Sequence, residues 1–243
     1  MMTRYHTVQW DEGKIGRLWG WYSQNLSDTY LAHHSGHRII EHVLRVCDLK
    51  SKRVVDFGCG AGLLFEHLRR RLGPGHTRYV GVEFSEVCVE SLRKRLDGQR
   101  GFEGVVLSQS VPVAIASSQA DVVFCVEVVE HLDDSQLTEA LNEMRRLLCS
   151  RGVVVVTTPN REDLRANTVA CPDCGCVFHR WQHVRSWTAS SLVQRMEAAG
   201  FVTVHLAETL LASWRDRMLY RIRATVRNMP ADWPQLIYIG SKR

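Results

Sequence analysis

The chain has 243 residues, 45% hydrophobic and 23% charged, with a formal net charge of +5 at pH 7. That size suits one large domain with room for a two-sided sheet and a small insertion. No apolar stretch approaches the ~20 residues that span a bilayer, and residues 1–6 lack the apolar core of a signal peptide. The modest positive charge is compatible with acidic partners and does not require nucleic acid.

In chain order, residues 11–48 read as helices, with Trp19, Trp21, Tyr22 and Leu26 clustered in the first and Ile39, Ile40, Val43, Leu44 and Val46 giving the second its apolar face. Strands follow at about 53–57, 78–82, 104–108, 121–126 and 152–157. Helical patterns near 62–72, 86–97 and 135–148 separate most of them. That alternation predicts a parallel sheet covered on both faces, a doubly wound Rossmann-like α/β fold. Residues 188–199 read as a further helix that Thr188 could cap and Gly200 ends, Phe201–Leu206 as a sixth strand, and 236–240 as a last one. The eight cysteines are scattered, and Cys47, Cys88, Cys125 and Cys149 lie in apolar periodic segments. That usage fits a reducing cytoplasm better than a disulfide framework, so a cytoplasmic location is expected.

The first strand ends Val54-Val55-Asp56-Phe57-Gly58-Cys59-Gly60-Ala61-Gly62. A strand, a glycine turn and a helix in that order build a nucleotide-sized pocket at the carboxyl end of a parallel strand. Leu63 and Leu64 stand where a dinucleotide site would place its final glycine, and the acid before the turn would repel a phosphate. That acid suits a cationic ligand.

The run Asp56–Gly62 resembles the first motif of the class I S-adenosylmethionine-dependent methyltransferases. Tyr79–Ser85 resembles that family's second strand, Asp121–Leu132 its fourth strand and following loop, and Leu147–Gly152 before Val153–Val156 its turn into strand five. The resemblance implies a seven-stranded sheet with its last strand antiparallel and S-adenosylmethionine as cofactor. It implies cofactor contacts from Asp56, Gly58, Cys59, Gly60, Glu83, Phe84, Val126 and Glu127, with Glu83 holding the ribose hydroxyls. The family often places an acid after strand three for the adenine amine. This chain has Gln109 and Ser110 there instead.

Residues 171–183 read Cys-Pro-Asp-Cys-Gly-Cys-Val-Phe-His-Arg-Trp-Gln-His. Cys171 and Cys174 form a C-x2-C knuckle, and His179 and His183 stand at i and i+4, where a helical turn would give them one face. Two thiolates and two imidazoles satisfy a tetrahedral zinc ion, so a structural zinc site is expected here, with Cys176 able to replace either histidine. Free thiols in a surface loop are the alternative.

The loop after strand four holds Glu127, Glu130 and His131. Small-RNA 3′-end 2′-O-methyltransferases carry a similar E-x-x-E-H, with a downstream histidine four residues before a Trp-Thr pair. Here those are His183 and Trp187-Thr188. That resemblance implies a divalent metal held by Glu127, Glu130, His131 and His183. E-x-x-E-H-L also occurs in small-molecule O-methyltransferases resembling ubiquinone-biosynthesis enzymes, which implies His131 as general base with Glu130 as second choice.

The expected organisation is one methyltransferase domain: a helical cap at 1–48, a cofactor core at 49–157, the Cys/His insertion at 158–187, and the rest of the sheet at 188–243. The expected activity is O-methylation of a small-molecule, sugar or glycan acceptor. Metal-dependent RNA methylation and a non-catalytic cofactor-binding partner subunit are the alternatives. A basic helix at 208–228, with Leu211, Trp214, Met218, Ile222 and Val226 in its stripe, reads as a lid, a homodimer contact, or a peripheral contact with an anionic surface.

Overall fold

The computed structural model describes residues 5–211, 218–220, 222 and 234–243. Two helices, α1 (Glu12–Asn25) and α2 (Leu31–Val43), precede the alternating part. That part runs β2 (Lys52–Phe57), α3 (Leu63–Leu72), β3 (Thr77–Glu83), α4 (Glu86–Leu96), β4 (Phe102–Leu107), β5 (Ala120–Val126), α5 (Asp134–Leu147) and β6 (Leu148–Pro159). After an insertion come α6 (Ala189–Ala198), β9 (Phe201–Thr209) and β10 (Gln235–Lys242). The main sheet has seven strands in the order β4-β3-β2-β5-β6-β10-β9, with β10 antiparallel to both neighbours. This is the doubly wound architecture expected from the sequence.

The central strands are apolar at nearly every position because both faces are covered. Alternate residues go to opposite cores. Val55, Val123, Cys125, Val154 and Val156 face a cluster containing Leu137, Leu141 and Met144 of α5 and Leu192 and Met196 of α6. Val54, Val122, Phe124, Val153 and Val155 face one containing Ile39 and Ile40 of α2, Leu64 and Leu68 of α3, and Leu92 of α4. Local chemistry sets the helix ends. Asp133 and Gln136 cap α5 reciprocally, Thr188 and Ser191 do the same for α6, and Gly200 follows α6 at φ +85°.

The order reverses between β2 and β5. A ligand crevice therefore opens at the carboxyl ends of these two strands. The segment after β6 crosses this edge and differs from the expectation. A small second sheet in the order β1-β8-β7 forms from β1 (His6–Thr7), β7 (Thr168–Ala170) and β8 (Cys176–His179). β1 joins it parallel to β8, opposite Cys176 and Val177. His179 therefore ends a strand, and no helical turn carries it and His183 as a pair. The expected helix at 208–228 also yields at its start, since β9 runs through Thr209 and Leu211 is buried. Met218, Leu219 and Ile222 are exposed. The rest of that expected helix lies outside the described residues.

Candidate functional site

The glycine turn is shaped by the neighbours that its Cα atoms touch. Gly58, at φ +79°, would put a Cβ 2.5 Å from Val128 Cγ2. Gly62, at φ +67°, opens α3 and would put one 2.4 Å from Leu92 Cδ2. Only glycine takes these conformations at such close quarters. On β3, a Cβ at Gly81 would stand 2.6 Å from Cys59 Sγ, so Gly81 makes room for the turn. The edge of the Tyr30 ring lies close to Gly60.

Glu83 ends β3, buried, and its carboxylate accepts from the backbone N–H groups of Gly60 at 2.8 Å, Phe84 at 2.9 Å and Ser85 at 3.0 Å. Burial raises its pKa, and these three donors partly offset that. Asp56 is also buried and accepts from Tyr79 Oη at 2.6 Å. Burial raises its pKa to about 7 against the lowering effect of that bond. Beyond β4, Ser108 donates to the Ser110 carbonyl, so Gln109 and Ser110 lie in a tight turn at the same edge.

A second group assembles a few residues beyond β5. Glu127, at φ +54°, accepts from Thr157 Oγ1 at 2.9 Å, and burial raises its pKa to about 7. Glu130 is 1% exposed and accepts from Thr158 Oγ1 at 3.0 Å, while its Oε1 has no hydrogen-bond partner. Its pKa lies far above the usual carboxylate range, first through burial and then through Glu127. Among the described residues, no Lys or Arg pairs with either carboxylate.

His131 lies 3.8 Å from Glu130 Oε1 through Nε2, and its Nδ1 is unpartnered. Its ring meets Trp19 at 4.9 Å and His183 at 4.8 Å. Burial and the neighbouring His183 push its pKa down to about 3, so it stays neutral.

The segment after β8 holds this group in place. Gln182, buried at φ +58°, accepts from Trp19 Nε1 and donates to the His131 carbonyl. Val184 N–H donates to the Glu130 carbonyl, and Arg185 donates to that of Leu132. Tyr22 Oη donates to the Arg180 carbonyl, and the Tyr22 and Trp181 rings meet at 5.0 Å. Trp19, Tyr22, Tyr30 and Trp181 thus form an aromatic group beside the histidines.

The structure brings together only some of the residues expected to hold metal. Among the described residues, two groups offer ligand atoms within 4.8 Å of one another: Glu130–His131–His183 and Glu162–His179–His183. Neither contains a cysteine. Cys171 and Cys174 interact with each other in the β7–β8 turn, where Cys174 is exposed. Among the described residues, the expected Cys171, Cys174, His179, His183 set is therefore not brought within that distance, and both histidines face Glu162 instead. His183 Nδ1 lies 2.5 Å from Glu162 Oε2. His179 stacks on His183 at 4.6 Å and accepts through Nδ1 from the backbone N–H groups of Trp181 and His183. Of the set implied by the RNA-enzyme resemblance, three members converge, and Glu127 stands aside with Thr157. Sequence reasoning missed Glu162, Gln182, Thr157 and Thr158. The acid two residues past the strand-five Pro-Asn was the only available signal for Glu162.

A family model described as a methyltransferase domain matches residues 31–206. The chain belongs to that family and is a class I S-adenosylmethionine-dependent methyltransferase. It is 29% identical over 185 residues to a ubiquinone biosynthesis O-methyltransferase of Azorhizobium caulinodans, covering 69% of this chain and 67% of that one. The protein of that name from Psychrobacter cryohalolentis is 32% identical over 117 residues, covering 46% of this chain and 43% of its own, so the chain spans less than half of that relative's length. A solved S-adenosylmethionine-dependent methyltransferase from Aquifex aeolicus shares the fold, with a TM-score of 0.60 at 16% identity over 97% of this chain and 100% of that one. No helix among the described residues is long and apolar enough to cross a membrane.

Proposed function

We propose that the protein transfers the methyl group of S-adenosylmethionine to a hydroxyl oxygen of a small-molecule acceptor. The observation that carries this reading is the group of Glu130, His131 and His183 at the same sheet edge as the glycine turn. The names of the relatives support oxygen as the nucleophile. In this reading Gly58, Cys59 and Gly60 line the cofactor's amino-acid end and Asp56 faces its cationic part from below. Glu83 exchanges some of its backbone donors for the two ribose hydroxyls, a bidentate geometry that a carboxylate provides well. Phe84, Gln109, Ser110, Val126 and Glu127 complete the adenine and ribose side. The aromatic group around Trp19 and Tyr22 favours a planar phenolic acceptor over a sugar, since rings stack on rings.

The acceptor oxygen forms a bond to the methyl carbon as the carbon–sulfur bond breaks and the sulfur takes that electron pair. An oxygen gaining a methyl group becomes strongly acidic, so a weak neutral base such as His131 can take its proton, with Glu130 next in line. Alignment supplies much of the rate. The test is turnover of labelled S-adenosylmethionine against panels of small phenols, sugars and short RNAs. Labelled phenol ether that disappears in His131→Ala supports the reading. Cofactor binding without transfer to any hydroxyl refutes it in favour of a binding subunit, and RNA as the methylated product moves the acceptor to ribose.

A second observation favours a cation at the same group. Among the described residues, Glu130 Oε1 is buried without a hydrogen-bond partner, no Lys or Arg pairs with Glu127 or Glu130, and His131 beside them stays neutral. Carboxylate and imidazole ligands with this deficit of positive charge fit a divalent metal. Glu130, His131 and His183 would hold it, and when bound it would lower the pKa of the acceptor hydroxyl.

A further inference from the structure

His183 is the member of the Glu130–His131–His183 group that comes from a distant part of the chain, and its ring must be fixed if the group is to have one geometry. The described structure supplies a device for this. Glu162, three residues past β6, places Oε2 2.5 Å from His183 Nδ1 and Oε1 3.4 Å from His179 Nε2. Asn167 Nδ2 donates to the same carboxylate at 3.2 Å. Glu162 is 14% exposed at its side chain, against 9% for His183 and 6% for His179.

The hydrogen-bond directions leave little choice. The 2.5 Å contact with Glu162 Oε2 engages His183 through Nδ1, which leaves Nε2 as the nitrogen available to a ligand. His179 already accepts two backbone N–H groups at Nδ1, so its own proton sits on Nε2, facing Glu162. His179 Nε2 stands 3.4 Å from Glu162 Oε1 without forming a hydrogen bond, so His183 is the histidine that the carboxylate holds directly.

We infer that Glu162 is a positioning residue: with His179 and Asn167 it fixes the tautomer and ring plane of His183, so that His183 Nε2 joins Glu130 and His131 as a ready-made divalent-cation site. A ligating histidine that donates its second nitrogen to a carboxylate is better oriented and more basic. The proposal rests on the cation reading above. It assigns Glu162 and His179 outside the ligand set, and it makes the insertion after β6 part of the site through an acid rather than through its cysteines.

The test is titration of the full-length protein with Mn²⁺, followed calorimetrically and by the loss of free-ion paramagnetic signal. S-adenosylhomocysteine affinity is measured in parallel as a check on folding. The wild type is expected to bind one ion, His183→Ala to bind none, and Glu162→Gln to bind about 10- to 100-fold more weakly with cofactor affinity unchanged. Glu162→Asp, which keeps the charge, is expected to recover most of the loss. It also carries the test if Glu162→Gln fails to fold. One ion bound equally well by wild type and Glu162→Gln would overturn the positioning role and leave the cation reading standing. No Mn²⁺ binding by the wild type would overturn both.

Discussion

The cofactor side and the acceptor side of the sheet edge are built on opposite plans. On the cofactor side, backbone does the work. Glycine φ angles and three N–H groups aimed at Glu83 come from residues 56–85, all within one strand–helix–strand unit. On the acceptor side, side chains do it. Trp19, Glu130, His131, Glu162, Gln182 and His183 arrive from four separate segments and hold one another by hydrogen bonds and ring contacts. The first plan has little tolerance for added atoms but needs few partners. The second tolerates changes of size but depends on each partner's charge and tautomer.

The largest effect should come from an atom added on the cofactor side. Gly58→Ala places a methyl group 2.5 Å from Val128 at a positive φ, and is expected to weaken S-adenosylhomocysteine binding by about 1,000-fold and to cost about 2–4 kcal/mol of stability. Calorimetry and thermal unfolding would check both. An unimpaired variant would mean that the turn is softer than its packing indicates. On the acceptor side, Glu130→Gln preserves shape and removes the ionisable carboxyl group. It is expected to lower kcat about 100-fold with cofactor affinity within twofold of wild type, and a loss in cofactor affinity instead would blur the division between the sides.

Asp56 gives a pH-dependent case. Its folded pKa of about 7 exceeds the ordinary 3.8, so the native state binds the extra proton between those values. Stability therefore falls as pH rises from about 4 to 7. Asp56→Asn is expected to be more stable than wild type by about 4 kcal/mol at pH 8, with the difference vanishing near pH 4. Urea unfolding at the two pH values would show it, and an advantage at pH 4 instead would break the argument. The smallest effect is expected for Cys171→Ser with Cys174→Ser, whose thiols lie apart from the histidines. Melting temperature and methyl transfer should stay within error, and bound zinc lost together with stability would restore a structural role for the knuckle.

The same contrast explains what could be read from the sequence. The glycine turn, Glu83 and the strand order are legible because a local stretch both encodes and completes each of them. Thr188 and Gly200 announce α6 because caps act over three or four residues. In the Cys/His segment, spacing alone could not reveal that Glu162 also faces the two histidines. His179 and His183 have the i, i+4 interval of a zinc pair, yet a strand end and the carboxylate of Glu162 set their directions. Gln182 and Thr158 were invisible for a related reason, since their importance lies in a carbonyl or carboxylate some thirty to fifty positions away.

The pairing of β1 with β8 has a consequence for how the molecule is assembled. His6 and Thr7 meet Cys176 and Val177 only after a loop of about 170 residues has closed, whereas Lys52 of β2 meets Thr77 of β3 across about 25. The entropy of loop closure grows with length, and distant pairings form slowly. The glycine-turn half can thus condense early on the nascent chain, while the edge that surrounds the histidines is completed last. Pulse-labelled hydrogen exchange should then find the amides of β2 and β3 protected before that of Val8, which donates to the Val177 carbonyl.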